Sequence, residues 1–219
     1  MLTVQLAGCT TLILLCLGAP LAWWLARTRN PAKPLIEAII ALPLVLPPTV
    51  IGFYLLLAFS PRHALGQAWQ SLLGTQLAFS FNALVIGSVI YSLPFVVQPL
   101  QASFSAIPRG LLEAAATLGA GPLDRLRSVV WPLARPGFVA AASLGFAHTV
   151  GEFGIVLMIG GNIPGETQVL AIALYDQVEL LNYEAAHRIA LGLIAVSLAA
   201  LTLIYRSQQP WRRGPQRWL

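Results

Sequence analysis

The sequence predicts an all-α polytopic membrane protein, and three observations lead to this fold class. Of its 219 residues, 57% are hydrophobic and only 10% are charged, whereas soluble domains carry about 25% charged residues. The mean hydropathy is +0.75. Apolar runs of about 17 to 25 residues, each long enough to cross a bilayer, recur along the chain. We therefore expect a single transmembrane domain, 1–219, with about five spans embedded in the lipid bilayer.

The apolar runs place the predicted spans and the loops between them. The spans cover about residues 6–25, 35–59, 79–99, 137–159 and 189–205, and a polar cytoplasmic loop covers about residues 100–136. The first run is expected to be a retained span, because no basic residue precedes it as in a signal peptide. Residues 60–78 are expected to form an external loop with a short interfacial helix around Trp69.

The basic residues predict the orientation. All of the 13 lysines and arginines except Arg62 and Arg188 lie in the first loop, the long loop or the C-terminal tail. Because loops rich in Lys and Arg face the cytoplasm, we expect the N-terminus outside and the C-terminus inside. The tail, with Trp211 and Trp218 among arginines, is typical of an interfacial anchor. Basic residues distributed between apolar runs do not indicate nucleic-acid binding.

The second run contains Pro43, Pro47 and Pro48. Each proline removes a backbone donor and clashes with the preceding turn, so a kinked or broken helix is expected. Irregular backbone inside a membrane is tolerated where it is buried in protein or lines a water-filled cavity. These prolines are therefore candidates for lining a transport pathway, and a kink that serves only helix packing is the alternative.

The long loop carries the main motif. It reads Glu113-Ala114-Ala115, then Gly119, then Gly121-Pro122. Alanines favour a short helix, Glu113 is expected near its N-terminal end, and the glycines stop it. This pattern resembles the EAA loop of bacterial ABC-importer permeases, whose short coupling helix docks on the ATPase subunit. Pro132 also matches the family, whereas Trp131 replaces the usual leucine.

Three further segments resemble the molybdate branch of that family. Residues 42–52 look like its second-span signature, and residues 151–154, Gly-Glu-Phe-Gly, occur in both molybdate and sulfate permeases. An external segment is similar to the molybdate branch in particular and contains Asn162, Pro164, Gly165, Glu166 and Thr167. The resemblance implies a type I, MetI-like permease fold and an ATP-driven importer of molybdate or tungstate, with sulfate as the alternative substrate.

The resemblance also implies the partners. We expect a homodimer in the bacterial inner membrane, two ABC ATPase subunits on its cytoplasmic side and a periplasmic oxyanion-binding protein. A nucleotide-binding P-loop requires Gly-x-x-x-x-Gly-Lys, and the only lysine here, Lys33, follows Pro31-Ala32. The chain is therefore expected to be a non-catalytic subunit without a cofactor, and ATP and Mg²⁺ are expected in the ATPase.

The fourth span carries two ionisable residues, His148 and Glu152. Such residues usually face a partner or a water-filled path. At spacing i, i+4 they are expected to meet on one helix face. A role in the gate and a mutually satisfied packing pair are both open, and no metal site is expected. The predicted pathway or gate comprises His148, Thr149, Gly151, Glu152, Phe153 and Gly154.

Two functions of other classes remain as alternatives. An ion-coupled secondary transporter or channel would use the intramembrane charges and need no ATPase. An intramembrane enzyme would use Glu152 and His148 as acid and base, but the sequence offers no evident nucleophile or metal.

Overall fold

The computed structural model describes residues 1–208, and this range is helical with short connections. The predicted interfacial tail with Trp211 and Trp218 lies outside the described residues. In chain order the helices are α1 (Leu2–Arg27), α2 (Lys33–Val45), α3 (Pro48–Phe59), α4 (Ala64–Leu73), α5 (Phe81–Ser105), α6 (Arg109–Thr117), α7 (Pro122–Arg125), α8 (Trp131–Gly151), α9 (Gly154–Gly160), α10 (Leu170–Glu179) and α11 (Tyr183–Gln208). A π-helical segment, Leu126–Val130, joins α7 to α8.

Within the described residues, four helical stretches are long and apolar enough to cross a membrane. They are Leu2–Arg27, Phe81–Ser105, Pro122–Gly151 and Tyr183–Leu203. The pair α2 and α3 passes the same test when taken together, although its axes differ by 108°. The all-α polytopic fold with about five spans is thus confirmed, and the side on which each terminus lies stays a prediction.

The second expected span is broken, as its prolines predicted: α2 continues through Pro43 and ends at Val45, and α3 begins at Pro48. The structure corrects the bounds of another span. The fourth, expected over residues 137–159, begins within the long loop and ends at Gly151, and the chain resumes as α9 at Gly154. The polar loop is also shorter than expected, since α5 reaches Ser105.

Helices α1, α5 and α8 form the centre of the fold. Small residues allow their close approach. A Cβ on Gly18 of α1 would lie 3.4 Å from Val96 of α5, and a Cβ on Gly145 of α8 would lie 2.7 Å from the same valine. Val96 and Val97 are fully buried between the helices. Since lipid is as apolar as a leucine side chain, such close contact is what holds membrane helices together.

Candidate transport pathway and coupling helix

The break between α2 and α3 lies beside the break between α8 and α9. Both breaks border one cavity of about 560 Å³. Its wall is formed by Pro48, Thr49, Tyr91, Ala147, His148, Gly151, Glu152, Phe153 and Gly154. The structure therefore brings one of the three predicted pathway prolines together with most of the predicted gate. Of the other two prolines, Pro43 is buried inside α2 and Pro47 is exposed at the break.

Two glycines allow α3 and α9 to cross in contact. A Cβ on Gly154 would lie 2.7 Å from the Pro48 Cβ, and a Cβ on Gly52 would lie 2.9 Å from the Met158 Cβ. Both distances are too short for real side-chain atoms. The crossing therefore requires glycine on each side, and it fixes the relative position of the two helix breaks.

The break after α8 changes the expected relation between His148 and Glu152. Helix α8 ends at Gly151, and Glu152 has an extended backbone with φ −70° and ψ 129°. The i, i+4 helical spacing therefore does not extend to Glu152, and the described residues contain no hydrogen bond or ion pair between the two side chains. Of the two alternatives left open for this pair, the mutually satisfied packing pair is not supported by this geometry.

His148 is instead held by neighbours on α5. Its Nδ1 lies 2.9 Å from the Ser92 Oγ, and its ring stacks on Phe95 with centroids 3.9 Å apart. The Ser92 Oγ also lies 3.1 Å from the Thr149 Oγ1, and the Thr149 hydroxyl donates to the Gly145 carbonyl at 2.9 Å. Thr149 is thus committed to this internal network and does not line the cavity.

Glu152 lacks any such support. The residue is 4% exposed, and neither of its carboxyl oxygens has a hydrogen-bond partner among the described residues. The polar group beside it is the Ser88 hydroxyl on α5, which is also buried and is close enough to act as the hydrogen-bonding neighbour of this carboxyl. A buried polar group normally has a hydrogen bond, and Thr10 and Trp69 are further buried side chains in the described bundle with a polar atom that has none.

The external segment that resembles the molybdate branch has side-chain donors that are occupied within the chain. The Asn162 side-chain amide donates to both carboxylate oxygens of Asp176, at 3.0 and 3.1 Å, and the Gln168 amide donates to Asp176 at 2.8 Å. Thr167 is fully buried and donates to the Gly160 carbonyl at 2.7 Å. The side-chain donors of Asn162 and Thr167 are therefore used to hold the segment together.

The rest of the external segment is a turn at the surface. Pro164, Gly165 and Glu166 are exposed, and Gly165 has a positive φ of 80°. Their position leaves them available to a partner outside the bundle.

Asp176 of α10 holds residues 162–168 in place through hydrogen bonds, and sequence reasoning missed it. We expect Asp176→Ala to loosen residues 162–168, because three hydrogen bonds to one charged group are lost, each worth about 1.5–3 kcal/mol. Hydrogen exchange of the backbone amides in this segment should rise, and Glu179→Ala is the control. Glu179 lies on the same helix and accepts only from Tyr175, an exposed contact that raises the pKa of Tyr175. Unchanged exchange in the Asp176 variant would contradict this role.

The expected coupling helix is α6, which contains no buried residue. It starts at Arg109, so Glu113 lies in its middle and not at the N-terminal end, as had been expected. Ala114 and Ala115 follow on the same helix. The stop signal is confirmed: Gly119 has a φ of 84°, its N–H donates to Ala116, and the next N–H donates to Ala115. This is the Schellman motif. Gly121 caps the following helix α7.

Apolar side chains are exposed around this helix. Leu111 is 47% exposed and Leu118 is 88% exposed. Leu112 of the same helix packs against the core of the bundle, so α6 is attached on one side while Leu111 and Leu118 leave apolar surface exposed.

Arg27 connects this region to the bundle, and its role was also missed. It had been interpreted only as a loop charge. The structure places it in the last turn of α1, where its guanidinium donates to the Phe104 and Ile107 carbonyls, both at 3.4 Å. The guanidinium also lies 4.8 Å from the Trp23 ring centroid. Arg27 thereby fixes the end of α5 just before α6 begins.

No group of three potential His, Cys, Asp or Glu metal ligands occurs among residues 1–208.

Comparison with known proteins supports the arrangement of these elements. Residues 18–213 match the family model described as "Binding-protein-dependent transport system inner membrane component". The chain is 57% identical to a "Molybdenum transport system permease protein ModB" of Azotobacter vinelandii over 95% of this chain and 92% of that one. It is 32% identical to the protein of the same name from Escherichia coli K12, over 93% and 89% of the two chains.

A solved structure of the methionine ABC transporter MetNI in inward-facing conformations has a similar fold. Its matched chain superimposes with a TM-score of 0.70 at 19% identity, covering 95% of this chain and 94% of that chain. With a family model matched over residues 18–213 and a relative at 57% identity, the chain belongs to the family of inner-membrane components of binding-protein-dependent transport systems.

Proposed function

We propose that this chain is the membrane-spanning permease of an ATP-driven molybdate importer. The observation that supports molybdate as the substrate is the 57% identity to the Azotobacter vinelandii molybdenum permease. Relatives at lower identity do not distinguish molybdate transport from sulfate transport. The Escherichia coli molybdenum permease is 32% identical, and a "Sulfate transport system permease protein CysT" from Synechocystis is 34% identical over 90% of this chain and 68% of that one. Sulfate therefore remains the second candidate.

Transport energy is proposed to enter through α6. Its exposed helix, the apolar Leu111 and Leu118, and the rigid turn at Gly119 present a surface suited to a groove on an ATPase subunit. ATP and Mg²⁺ would bind in that subunit, and this chain would contribute no catalytic group. Movement of α6 would reach the bundle through α7 and α8, which are continuous across Leu126–Val130.

The substrate path is proposed to use the cavity between the two helix breaks. Two copies of the chain, set in the bacterial inner membrane, would each contribute one such cavity beside a shared passage. The faces of α2 and α3 carry exposed apolar residues, Leu42, Val45 and Phe53 among them, that are available to the second copy or to lipid. A periplasmic oxyanion-binding protein would deliver the substrate near the exposed turn at Gly165.

The test is ATP-dependent uptake of labelled molybdate into vesicles that contain this chain, its ATPase and its binding protein. We expect uptake that requires ATP and that excess unlabelled sulfate leaves intact. Strong competition by sulfate would assign the chain to sulfate transport. Uptake that persists without ATP or without the ATPase would overturn the importer proposal and favour a secondary transporter.

A further inference from the structure

A separate cleft of about 380 Å³ lies between the last turns of α1 and the first turns of α8. Four aromatic side chains line it: Trp23, Phe104, Trp131 and Phe138. Their neighbouring rings have centroids 5.1 to 5.9 Å apart and meet at an angle, a geometry that favours contact between aromatic rings. Among the described residues, no charged side chain belongs to the wall. The cleft therefore suits an apolar occupant.

The cleft lies where the bundle enters the bilayer. One side belongs to the membrane-crossing stretch Leu2–Arg27, near its end, and the other belongs to Pro122–Gly151, near its start. Tryptophans near the ends of membrane helices typically lie at the level of the lipid headgroups. Leu126 and Trp131 on the wall are 51% and 52% exposed, so the cleft opens at the outer surface of the described bundle. Lipid can therefore reach it.

Arginines border the cleft on both sides. On α8, Trp131, Arg135 and Phe138 follow the spacing i, i+4, i+7, which places them on one helix face, and Arg135 is exposed. On α1, the Arg27 guanidinium lies 4.8 Å from the ring centroid of the tryptophan in the wall. The Nε atoms of Arg27 and Arg125 are buried and have no hydrogen-bond partner within residues 1–208. The apolar cleft thus has a positively charged rim.

No carboxylate of the described chain neutralises this rim. The ion pairs within residues 1–208 are Lys33–Glu37 and Glu184–Arg188, and the carboxylate nearest to the rim in sequence, Asp124 of α7, belongs to neither. Basic pockets between membrane helices bind the headgroups of anionic lipids. Each arginine near the membrane surface contributes about fivefold to the affinity for such a lipid. The charge of the rim therefore complements an anionic headgroup.

We infer that this cleft binds one anionic phospholipid, with an acyl chain against the aromatic rings and the headgroup phosphate at Arg135 and Arg27. A guanidinium suits a phosphate because its planar fork donates to two phosphate oxygens at once. The π-helical segment Leu126–Val130 forms part of the wall, and π-helical turns are rare and frequently occur at functional sites. The lipid would thus contact the segment that joins α7 to α8. It lies apart from the substrate path and does not depend on which anion is transported.

The test uses Trp131 as a fluorescent reporter in the purified full chain, reconstituted into phosphatidylcholine vesicles. Lipids with brominated acyl chains quench a tryptophan that they contact, and subtraction of the signal of Trp131→Phe isolates the contribution of Trp131. We expect brominated phosphatidylglycerol to quench this signal at a mole fraction about fivefold or more below that of brominated phosphatidylcholine. Soluble glycerol 3-phosphate, which has the phosphate but no acyl chain, should leave the quenching unchanged.

Arg135→Gln should lower the preference for phosphatidylglycerol about fivefold, because one positive charge is lost from the rim. The side chain is exposed, so the fold is expected to survive. Arg206→Gln is the matched control. Arg206 is an exposed arginine in the last turn of α11, which is predicted to face the same leaflet, and α11 contributes nothing to the cleft. This control should keep the preference of the unsubstituted chain.

Three outcomes would overturn the lipid site. Equal quenching of Trp131 by both brominated lipids would mean that the cleft is ordinary lipid-facing surface. An equal loss of preference in Arg135→Gln and Arg206→Gln would mean that the preference comes from the overall charge of that side of the protein. If quenching in the isolated chain disappears when the ATPase is bound, another subunit covers the cleft in the complex. None of these outcomes bears on whether the chain transports molybdate.

Discussion

Gly119→Glu is expected to reduce ATP-dependent uptake about tenfold or more, the factor that corresponds to about 1.4 kcal/mol of lost docking energy. Gly119 ends α6 with a φ of 84°, which glycine adopts without strain and glutamate does not. A glutamate there also places negative charge at the negative end of the helix dipole. Because nothing lies within 4 Å of a Cβ at this position, the fold of the chain itself is expected to survive.

The matched control for this variant is Gly74→Glu. Gly74 also has a positive φ, 70°, and nothing lies within 4 Å of a Cβ there. It ends α4, far along the chain from the coupling helix. Both variants therefore introduce the same strain and the same charge, and only the first changes the proposed docking surface. Co-purification of the ATPase with each variant measures docking directly. Equal uptake by the two variants would argue that no partner docks at Gly119 and would favour a secondary transporter.

The coupling helix could be predicted from sequence because its signals are local. Alanine propensity and a glycine at the C-terminal position depend on neighbouring residues alone, and the structure forms the expected turn at Gly119. The apolar runs likewise predicted about five spans, since a bilayer requires apolar length wherever the chain crosses it. The position of Glu113 within the helix was predicted wrongly, because the helix begins earlier than expected. It begins at Arg109, directly after Pro108.

The geometry of the pathway could not be predicted in the same way. Helix α8 ends at Gly151 without a proline, so no local signal marked the break that separates His148 from Glu152. The break depends on the crossing of α3 and α9, which are distant in sequence. Asp176 was missed for a similar reason, because its three hydrogen bonds reach back to residues 162–168. Hydrophobic periodicity and helix propensity do not predict contacts between segments that are distant in sequence.

Gly154→Val is expected to abolish most uptake by displacing α9 from α3. Even a Cβ at Gly154 would lie 2.7 Å from the Pro48 Cβ, and valine adds two methyl groups beyond it. Overpacking of this kind costs about 1–3 kcal/mol, and relief requires that one helix moves. Pro48 and Gly154 both line the cavity, so any such movement changes the proposed passage. The measurement is ATP-dependent uptake together with the thermal stability of the purified chain.

Gly192→Val is the control for this change, because it lies on α11 and nothing is within 4 Å of a Cβ there. It should leave uptake unchanged, since its methyl groups meet lipid or open space. The comparison separates two roles of the crossing. If Gly154→Val lowers uptake strongly while thermal stability falls little, the contact positions the cavity. If stability collapses, the smaller Gly154→Ala decides, because a positioning contact should still reduce uptake when the chain remains folded. Normal uptake by a stably folded Gly154→Val would mean that the passage does not use this crossing at all, and the cavity between the two breaks would lose its proposed role.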